Sequence, residues 1–135
     1  MKLSLLALII VAGFFLTTRL LGADFMSPAD AAKRVEAGTA ILVDVREPGE
    51  WASTGVAEPA VLLSLSDLRS DRVSWKPFLD QNKDKELILY CRSGNRSAIV
   101  GSILTKEGYR VANAGGFQHW ADAQLPTRKV SSPAN

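Results

Sequence analysis

Short apolar runs alternate along most of the chain with stretches whose apolar residues recur every three or four positions. A run of four to eight mostly apolar residues, rich in β-branched side chains, is typical of a strand buried on both faces of a sheet. Such runs predict strands over residues 41–45, 61–65 and 87–90, with a weaker strand at 111–112. Strands that alternate with helices predict an α/β fold whose small, mostly parallel central sheet is flanked by helices.

Local signals mark where the helices between these strands begin and end. Ser27 is placed to cap a helix N-terminus, with Pro28 at the first helical position. Gly38 and Gly108 are predicted to end helices. Further helices are predicted over 48–54, over 66–81 with a break at Pro77, over 97–107, and around Trp120.

The first 23 residues differ from the rest, because residues 3–18 are uncharged and mostly apolar and follow Lys2. A basic start, an apolar run and small residues at Gly22 and Ala23 predict a signal peptide cleaved after Ala23. The alternative is an uncleaved membrane anchor. Its 16 uncharged residues fall short of the ~20 needed to span a bilayer, although Arg19 could extend the span by snorkelling.

Either interpretation of this segment places the domain outside the cytoplasm, in the periplasm or secreted, or else anchored to a membrane by residues 3–18. The remainder of the 135 residues has room for one core, so a single domain over 27–126 is predicted. The Pro- and Ser-containing residues 127–135 are expected to form a flexible C-terminal tail.

Composition excludes several classes of function. The net charge of +2 includes Lys2 and Arg19, and without them 14 basic side chains balance 14 acidic ones, so no nucleic-acid partner is expected. The single Cys excludes an intrachain disulfide framework. One Cys and one His cannot supply the four ligands of a structural zinc site, and neither a metal nor an organic cofactor is expected.

The only Cys, Cys91, directly follows the clearest predicted strand and precedes a predicted helix. The amides of a helix N-terminus, together with Arg92 and Arg96, favour the thiolate over the thiol. Gly94 allows the chain to curl, so that the amides of residues 93–97 could converge on an anion. A buried structural Cys is the alternative, but the polar loop that follows favours a functional thiol.

Together with three motifs elsewhere in the sequence, this loop makes the chain resemble the rhodanese family of sulfurtransferases. The resemblance rests on the order and spacing of all four: Asp-Val-Arg-Glu-Pro at 44–48 with Glu50-Trp51, Tyr-Cys-Arg-Ser-Gly-Asn-Arg-Ser at 90–97, Gly-Tyr-Arg-Val at 108–111, and Gly115-Gly116 with Trp120. It implies a three-layer rhodanese-like domain. The segment from Gly55 to Ala60 departs from the family pattern and leaves the choice of acceptor open.

By this resemblance, Cys91 would accept sulfur as a persulfide from an anionic donor such as thiosulfate or polysulfide, and a thiol or cyanide would then remove it. The protein would be a monomeric sulfurtransferase of the thiosulfate type. Asp44 and Arg46 would lie beside the loop, either bracing it or forming a structural ion pair. The donor would bind to the rest of the loop, namely Arg92, Ser93, Gly94, Asn95, Arg96 and Ser97.

The same loop has three alternative uses. A non-catalytic binding or sulfur-carrier module would share the fold. A Cys-dependent phosphatase or arsenate reductase also has a Cys followed by a basic loop, but it needs five residues between its Cys and its Arg. Here four residues separate Cys91 from Arg96, and Ser97 occupies the position where that Arg would lie. A Cys–His dyad with His119 is less favoured than a capping or surface role for that His. The three Trp side chains are expected in the core.

Overall fold

Five parallel strands form the central sheet of the protein, whose computed structural model describes residues 24–132. In chain order they are β1 (Asp24–Phe25), β2 (Ala40–Asp44), β4 (Val61–Leu62), β5 (Glu86–Cys91) and β6 (Val111–Gly116). Their order across the sheet is β1-β6-β5-β2-β4. Because β5 lies in the middle with a partner on each side, its carboxyl end is held at the centre of one sheet edge.

Helices cover both faces of this sheet and complete three layers. They are α1 (Pro28–Glu36), α2 (Pro48–Thr54), α3 (Leu65–Leu68), α4 (Trp75–Gln81), α5 (Asn95–Lys106) and α6 (Phe117–Asp122). Alternate side chains of β5 enter different cores: Leu87, Leu89 and Cys91 pack with residues of α3, α4 and α5. Ile88 and Tyr90 pack on the opposite face with residues of α1 and α6. The predicted three-layer α/β fold is confirmed.

Several predicted boundaries of helices and strands are confirmed, and they depend on residues close by in the sequence. The Ser27 hydroxyl accepts the N–H of Asp30 at 3.2 Å, as expected of an N-cap residue. α2 spans the predicted residues 48–54 and ends at Gly55. β2 and β5 agree with their predicted runs to within a residue at each end.

The break predicted at Pro77, in the helical stretch over residues 66–81, is wrong. The chain breaks earlier, over residues 69–74, and Pro77 lies in the first turn of α4, where a missing N–H costs nothing. The Asp67 carboxylate accepts the N–H groups of Val73, Ser74 and Trp75 and so ends one helix and starts the next. The strand predicted over 61–65 is correspondingly shorter, because Leu65 already belongs to α3.

β6 is longer than the two residues predicted for it. It continues through Asn113 and the glycine pair to Gly116, residues with low intrinsic strand preference. Pairing with β1 on one side and β5 on the other overrides that preference.

The segment predicted as a tail begins with a paired strand, β7 (Thr127–Arg128), which runs antiparallel to β3 (Val56–Ala57). The Arg128 side chain donates to the Glu58 and Ala60 carbonyl oxygens at 3.0 and 2.9 Å. A two-stranded ribbon therefore fastens the residues after α2 to the end of the domain.

Within residues 24–132, the structure contains no helix with the length and apolar character needed to cross a membrane. The predicted signal peptide or anchor at residues 1–23 lies outside the described part of the chain.

Replacing Arg128 by Ala removes both side-chain hydrogen bonds that hold the ribbon. We expect the free energy of unfolding to fall by about 1 kcal/mol and the melting temperature by about 4 °C. Thermal unfolding followed by circular dichroism measures this. The neighbouring exposed cation, Lys129, is the matched control, and Lys129→Ala should leave the melting temperature unchanged; equal effects of the two substitutions would contradict the assignment.

Candidate active site

Cys91 ends β5 and lies in the layer between the sheet and α5, with a relative exposure of 0%. The chain then turns through Arg92, Ser93 and Gly94 into α5. Gly94 is the N-cap of that helix with φ +98°, a conformation that favours glycine. This turn points the Gly94 N–H at the Cys91 Sγ, 3.0 Å away.

Several donors surround the Cys91 sulfur. Burial is the largest single influence and raises the thiol pKa, whereas hydrogen bonds from the backbone N–H groups of Ser93, Gly94 and Ser97 lower it. The net result is a thiol pKa below its ordinary value. The Ser97 Oγ lies 3.6 Å from the sulfur. The backbone N–H groups that were predicted to converge on an anion do converge, and they do so around the Cys91 sulfur. We call the N–H groups of Ser93, Gly94 and Ser97 the cradle.

The loop fits against β6 because of two glycines. A Cβ on Gly116 would lie 2.2 Å from the Arg92 carbonyl oxygen, so only glycine allows this approach. Gly115 has φ +80° and lies where the register between β5 and β6 shifts, a β-bulge that brings Gly116 opposite Cys91. The Gly115-Gly116 pair is therefore the surface against which the loop packs.

Arg96 forms an ion pair with Glu50 of α2, which the sequence did not predict. Two N–O distances of 2.6 and 2.7 Å join the guanidinium to both carboxylate oxygens. This contact lowers the pKa of Glu50 to about 2 and raises that of Arg96. The Arg96 charge is thus largely balanced within the protein, and the pair ties the start of α5 to α2.

Asp44 and Arg46 form a buried, bidentate ion pair whose side chains are 0% and 3% exposed. Arg46 also donates to the Gly55 carbonyl oxygen and the Thr54 hydroxyl, and its guanidinium lies 4.6 Å from the centre of the Phe117 ring. Among the described contacts, neither side chain donates to or accepts from the loop. Of the two roles left open, the geometry matches the structural ion pair.

A cleft of about 540 Å³ opens between α2, the loop and the start of α6. Its lining comprises Arg46, Gly49, Glu50, Ser53, Thr54, Arg92, Phe117 and Gln118. The Arg92 side chain is exposed there and has no ion-pair or hydrogen-bond partner within residues 24–132. Of the arginines lining the cleft, Arg92 is therefore the one whose charge is available to a ligand.

The remaining predicted loop residues divide by exposure. Ser93 and Asn95 are exposed, Gly94 is half-buried, and Ser97 is buried below the sulfur. Of the six loop residues, Ser93, Gly94 and Ser97 contact the Cys91 sulfur. Asp44 and Arg46 support the neighbouring α2 instead.

Besides the role of Glu50, the sequence did not predict that of Asn113, on β6. Its side chain contacts Ser97, Gly94 and Gly115 and so joins the loop to the sheet. The available signal was a polar residue in the middle of an apolar strand, between Ala112 and Ala114.

His119 is confirmed as a capping residue. Its Nδ1 accepts the Gly116 N–H at 3.1 Å at the start of α6, and its side chain is exposed. Trp75 and Trp120 are buried as expected, whereas Trp51 is only half-buried.

Comparison with known proteins agrees with the fold. The family model for the rhodanese-like domain matches residues 27–123. The chain is 40% identical to a sulfurtransferase of Allochromatium vinosum over 88 residues, which cover 64% of this chain and 76% of that protein. It is 32% identical over 112 residues to a mitochondrial protein of Schizosaccharomyces pombe whose assignment as a thiosulfate sulfurtransferase is provisional; the match covers 73% of this chain and 76% of the relative.

The solved structure of a human single-domain sulfurtransferase superposes with a TM-score of 0.61 at 25% identity, covering 75% of this chain and 97% of that one. The chain belongs to the rhodanese-like domain family. Its named relatives support a sulfurtransferase role for it.

Replacing Asp44 by Asn leaves the buried Arg46 guanidinium without its counter-charge. We expect this to lower the free energy of unfolding by about 3 kcal/mol, because an unpaired buried charge is costly. Urea denaturation measures the loss. Glu86→Gln breaks the more exposed Arg34–Glu86 pair and serves as the control, with an expected loss below about 1 kcal/mol. Equal losses would mean that burial of the Asp44–Arg46 pair does not matter to stability.

Proposed function

We propose that the protein is a thiosulfate-type sulfurtransferase in which Cys91 carries the transferred sulfur as a persulfide. The observation that carries this proposal is the cradle of N–H groups that surrounds the Cys91 sulfur and depresses its pKa. A thiolate is the nucleophile that such a reaction requires.

In the first half-reaction, Cys91 loses its proton to solvent and the thiolate attacks the outer sulfur of the donor. With thiosulfate, a new bond forms between Sγ and the outer sulfur while the sulfur–sulfur bond of the donor breaks. The bonding electron pair leaves with sulfite. In the second half-reaction, a thiolate or cyanide attacks the outer persulfide sulfur, and Cys91 leaves as the thiolate.

The cradle supports both the thiolate and the persulfide. Backbone N–H groups that already point at the sulfur need no reorganisation when negative charge develops there. The partial positive charge of the α5 N-terminus acts in the same direction. The same donors can therefore stabilise the persulfide anion once the outer sulfur is bound.

Access to the sulfur requires exposed side chains of the loop to move aside while its backbone stays in place. Cys91 is completely covered, whereas the side chains of Arg92, Ser93 and Asn95 above it are exposed. We assign the opening to these residues, because the rest of the loop is held from below by Ser97 and from the side by the Arg96–Glu50 pair.

We assign the anion contact to Arg92 and a positioning role to Arg96. Arg92 follows the nucleophile directly and faces the cleft without a counter-charge among the described residues, whereas Glu50 occupies the guanidinium of Arg96. The provisional assignment of the Schizosaccharomyces pombe relative supports thiosulfate as the donor. Residues 3–18 support our proposal that the domain works outside the cytoplasm, and we expect it to act there as a monomer.

Persulfide formation can be tested by intact mass. Incubating the protein with thiosulfate should add one sulfur atom, about 32 Da, and cyanide or dithiothreitol should remove it. Cys91→Ser is the control, since it keeps the size of the side chain but lacks the thiol, and it should gain nothing. The absence of a mass gain with thiosulfate, polysulfide and mercaptopyruvate would reject the proposed activity in favour of a binding module.

The assignment of Arg92 predicts a defect in donor binding. Arg92→Gln should raise the KM for thiosulfate by about five- to tenfold and leave kcat within about twofold, because it removes a contact made equally in the bound and transition states. Steady-state transfer to cyanide measures both constants. Arg69→Gln, which removes an exposed arginine outside the cleft, should change neither. An unchanged KM in Arg92→Gln would remove Arg92 from the donor site.

A further inference from the structure

The Asn113 side chain makes three hydrogen bonds at the base of the Cys91 loop. Its Oδ1 accepts from the Ser97 hydroxyl at 2.8 Å and from the Gly115 N–H at 2.9 Å. Its Nδ2 donates to the Gly94 carbonyl oxygen at 3.0 Å. Both loop residues that it holds, Ser97 and Gly94, also contact the Cys91 sulfur.

The orientation of the Asn113 amide follows from its backbone partners. The Gly115 N–H can only donate and the Gly94 carbonyl can only accept, so Oδ1 and Nδ2 cannot exchange places. Because Oδ1 carries no hydrogen, the Ser97 hydroxyl must supply the proton of the bond between Ser97 and Asn113.

A serine hydroxyl has only one proton to donate, and three acceptors lie near the Ser97 Oγ. Asn113 Oδ1 is 2.8 Å away, the Gly94 carbonyl oxygen 3.1 Å and the Cys91 Sγ 3.6 Å. The Gly94 oxygen already accepts from Asn113 and from the Ala98 N–H. While the proton points at Asn113, the Ser97 oxygen presents lone pairs to the sulfur and can accept from a thiol but cannot donate to a thiolate.

We propose that Asn113 is a positioning residue that holds the Ser97 proton away from the Cys91 sulfur and leaves the thiolate to the backbone N–H groups. This inference deepens the proposed sulfur transfer and rests on Cys91 being its nucleophile. A thiolate with one hydrogen-bond donor fewer keeps a higher intrinsic nucleophilicity. Without Asn113, the hydroxyl is free to turn to the sulfur and to stabilise the thiolate as an additional donor.

The test is a double-mutant cycle read out by the pH dependence of iodoacetamide alkylation in the full chain. Alkylation consumes the thiolate of the single Cys, so its midpoint reports the ionisation of Cys91. With Asn113 present, Ser97→Ala should shift the midpoint by less than about 0.3 pH unit in either direction, because the hydroxyl does not donate to the thiolate. In the Asn113→Ala background, the same change should raise it by about half a pH unit or more, the effect of one lost hydrogen bond to the thiolate.

The comparison between backgrounds cancels any general loosening of the loop, because that loosening is present with and without Ser97. Equal effects of Ser97→Ala in both backgrounds would overturn the proposal. If Asn113→Ala does not fold, Asn113→Val removes the same acceptor with a side chain suited to a strand, and takes its place in the cycle.

Two further variants test whether the effect comes from holding the Ser97 proton. Asn113→Asp controls for a change of charge, and Val111→Ala controls for a weaker strand. Asn113→Asp keeps an acceptor for the Ser97 proton, so Ser97→Ala should again have a small effect, although the added charge raises the midpoint itself. A large effect there would contradict the proposal. Val111→Ala weakens the same strand without touching the loop hydrogen bonds, and the Ser97 effect in it should equal that of the unmodified protein.

Failure of this proposal can be told apart from failure of the proposed function. Alkylation requires only a reactive thiol, so the cycle gives an answer whether or not thiosulfate adds sulfur to Cys91. A mass gain without the expected coupling would reject the role of Asn113 and keep the sulfurtransferase. The expected coupling without a mass gain would keep the role of Asn113 and reject the sulfurtransferase.

Discussion

The position of the Cys91 sulfur under the first N–H groups of α5 is the constraint on which the rest of the site depends. Only three residues separate the end of β5, in the centre of the sheet, from the start of α5, which leaves room only for a tight turn, and Gly94 makes it with a positive φ. This tight turn also requires glycine at position 116, because a Cβ there would collide with the Arg92 carbonyl oxygen. The thiol is therefore activated by main-chain geometry more than by neighbouring charged side chains.

The charged residues around the loop have separate tasks, although sequence alone made them look alike. Arg46 is buried against Asp44 and supports the end of α2. Arg96 joins α2 to α5 through Glu50. Arg92 alone among the cleft arginines keeps an unbalanced charge in the described structure. For the transfer proposed above, this division leaves one arginine free for an anionic donor while the other two keep the frame rigid.

Sequence patterns predicted the α/β order, the main strands, the N-cap at Ser27 and the loop at Cys91, since each depends on residues close together in the chain. They did not predict the role of Glu50 or Asn113, because these side chains act on residues 46 and 16 positions away. The length of β6 was missed for a related reason, as strand pairing overrides the weak preference of its glycines. The break assigned to Pro77 failed because the effect of a proline depends on its place in the helix.

The ribbon of β3 and β7 connects the cleft to residues far from it in the chain. Within the described residues β7 is the final strand, and the Arg128 carbonyl lies directly against Gly55, whose own carbonyl accepts from Arg46 in the cleft wall. The Cys91 loop and the central sheet around it include no residue of β7. A truncation before residue 127 would therefore disturb the wall that holds Arg46, while the loop and its sheet would keep their own partners.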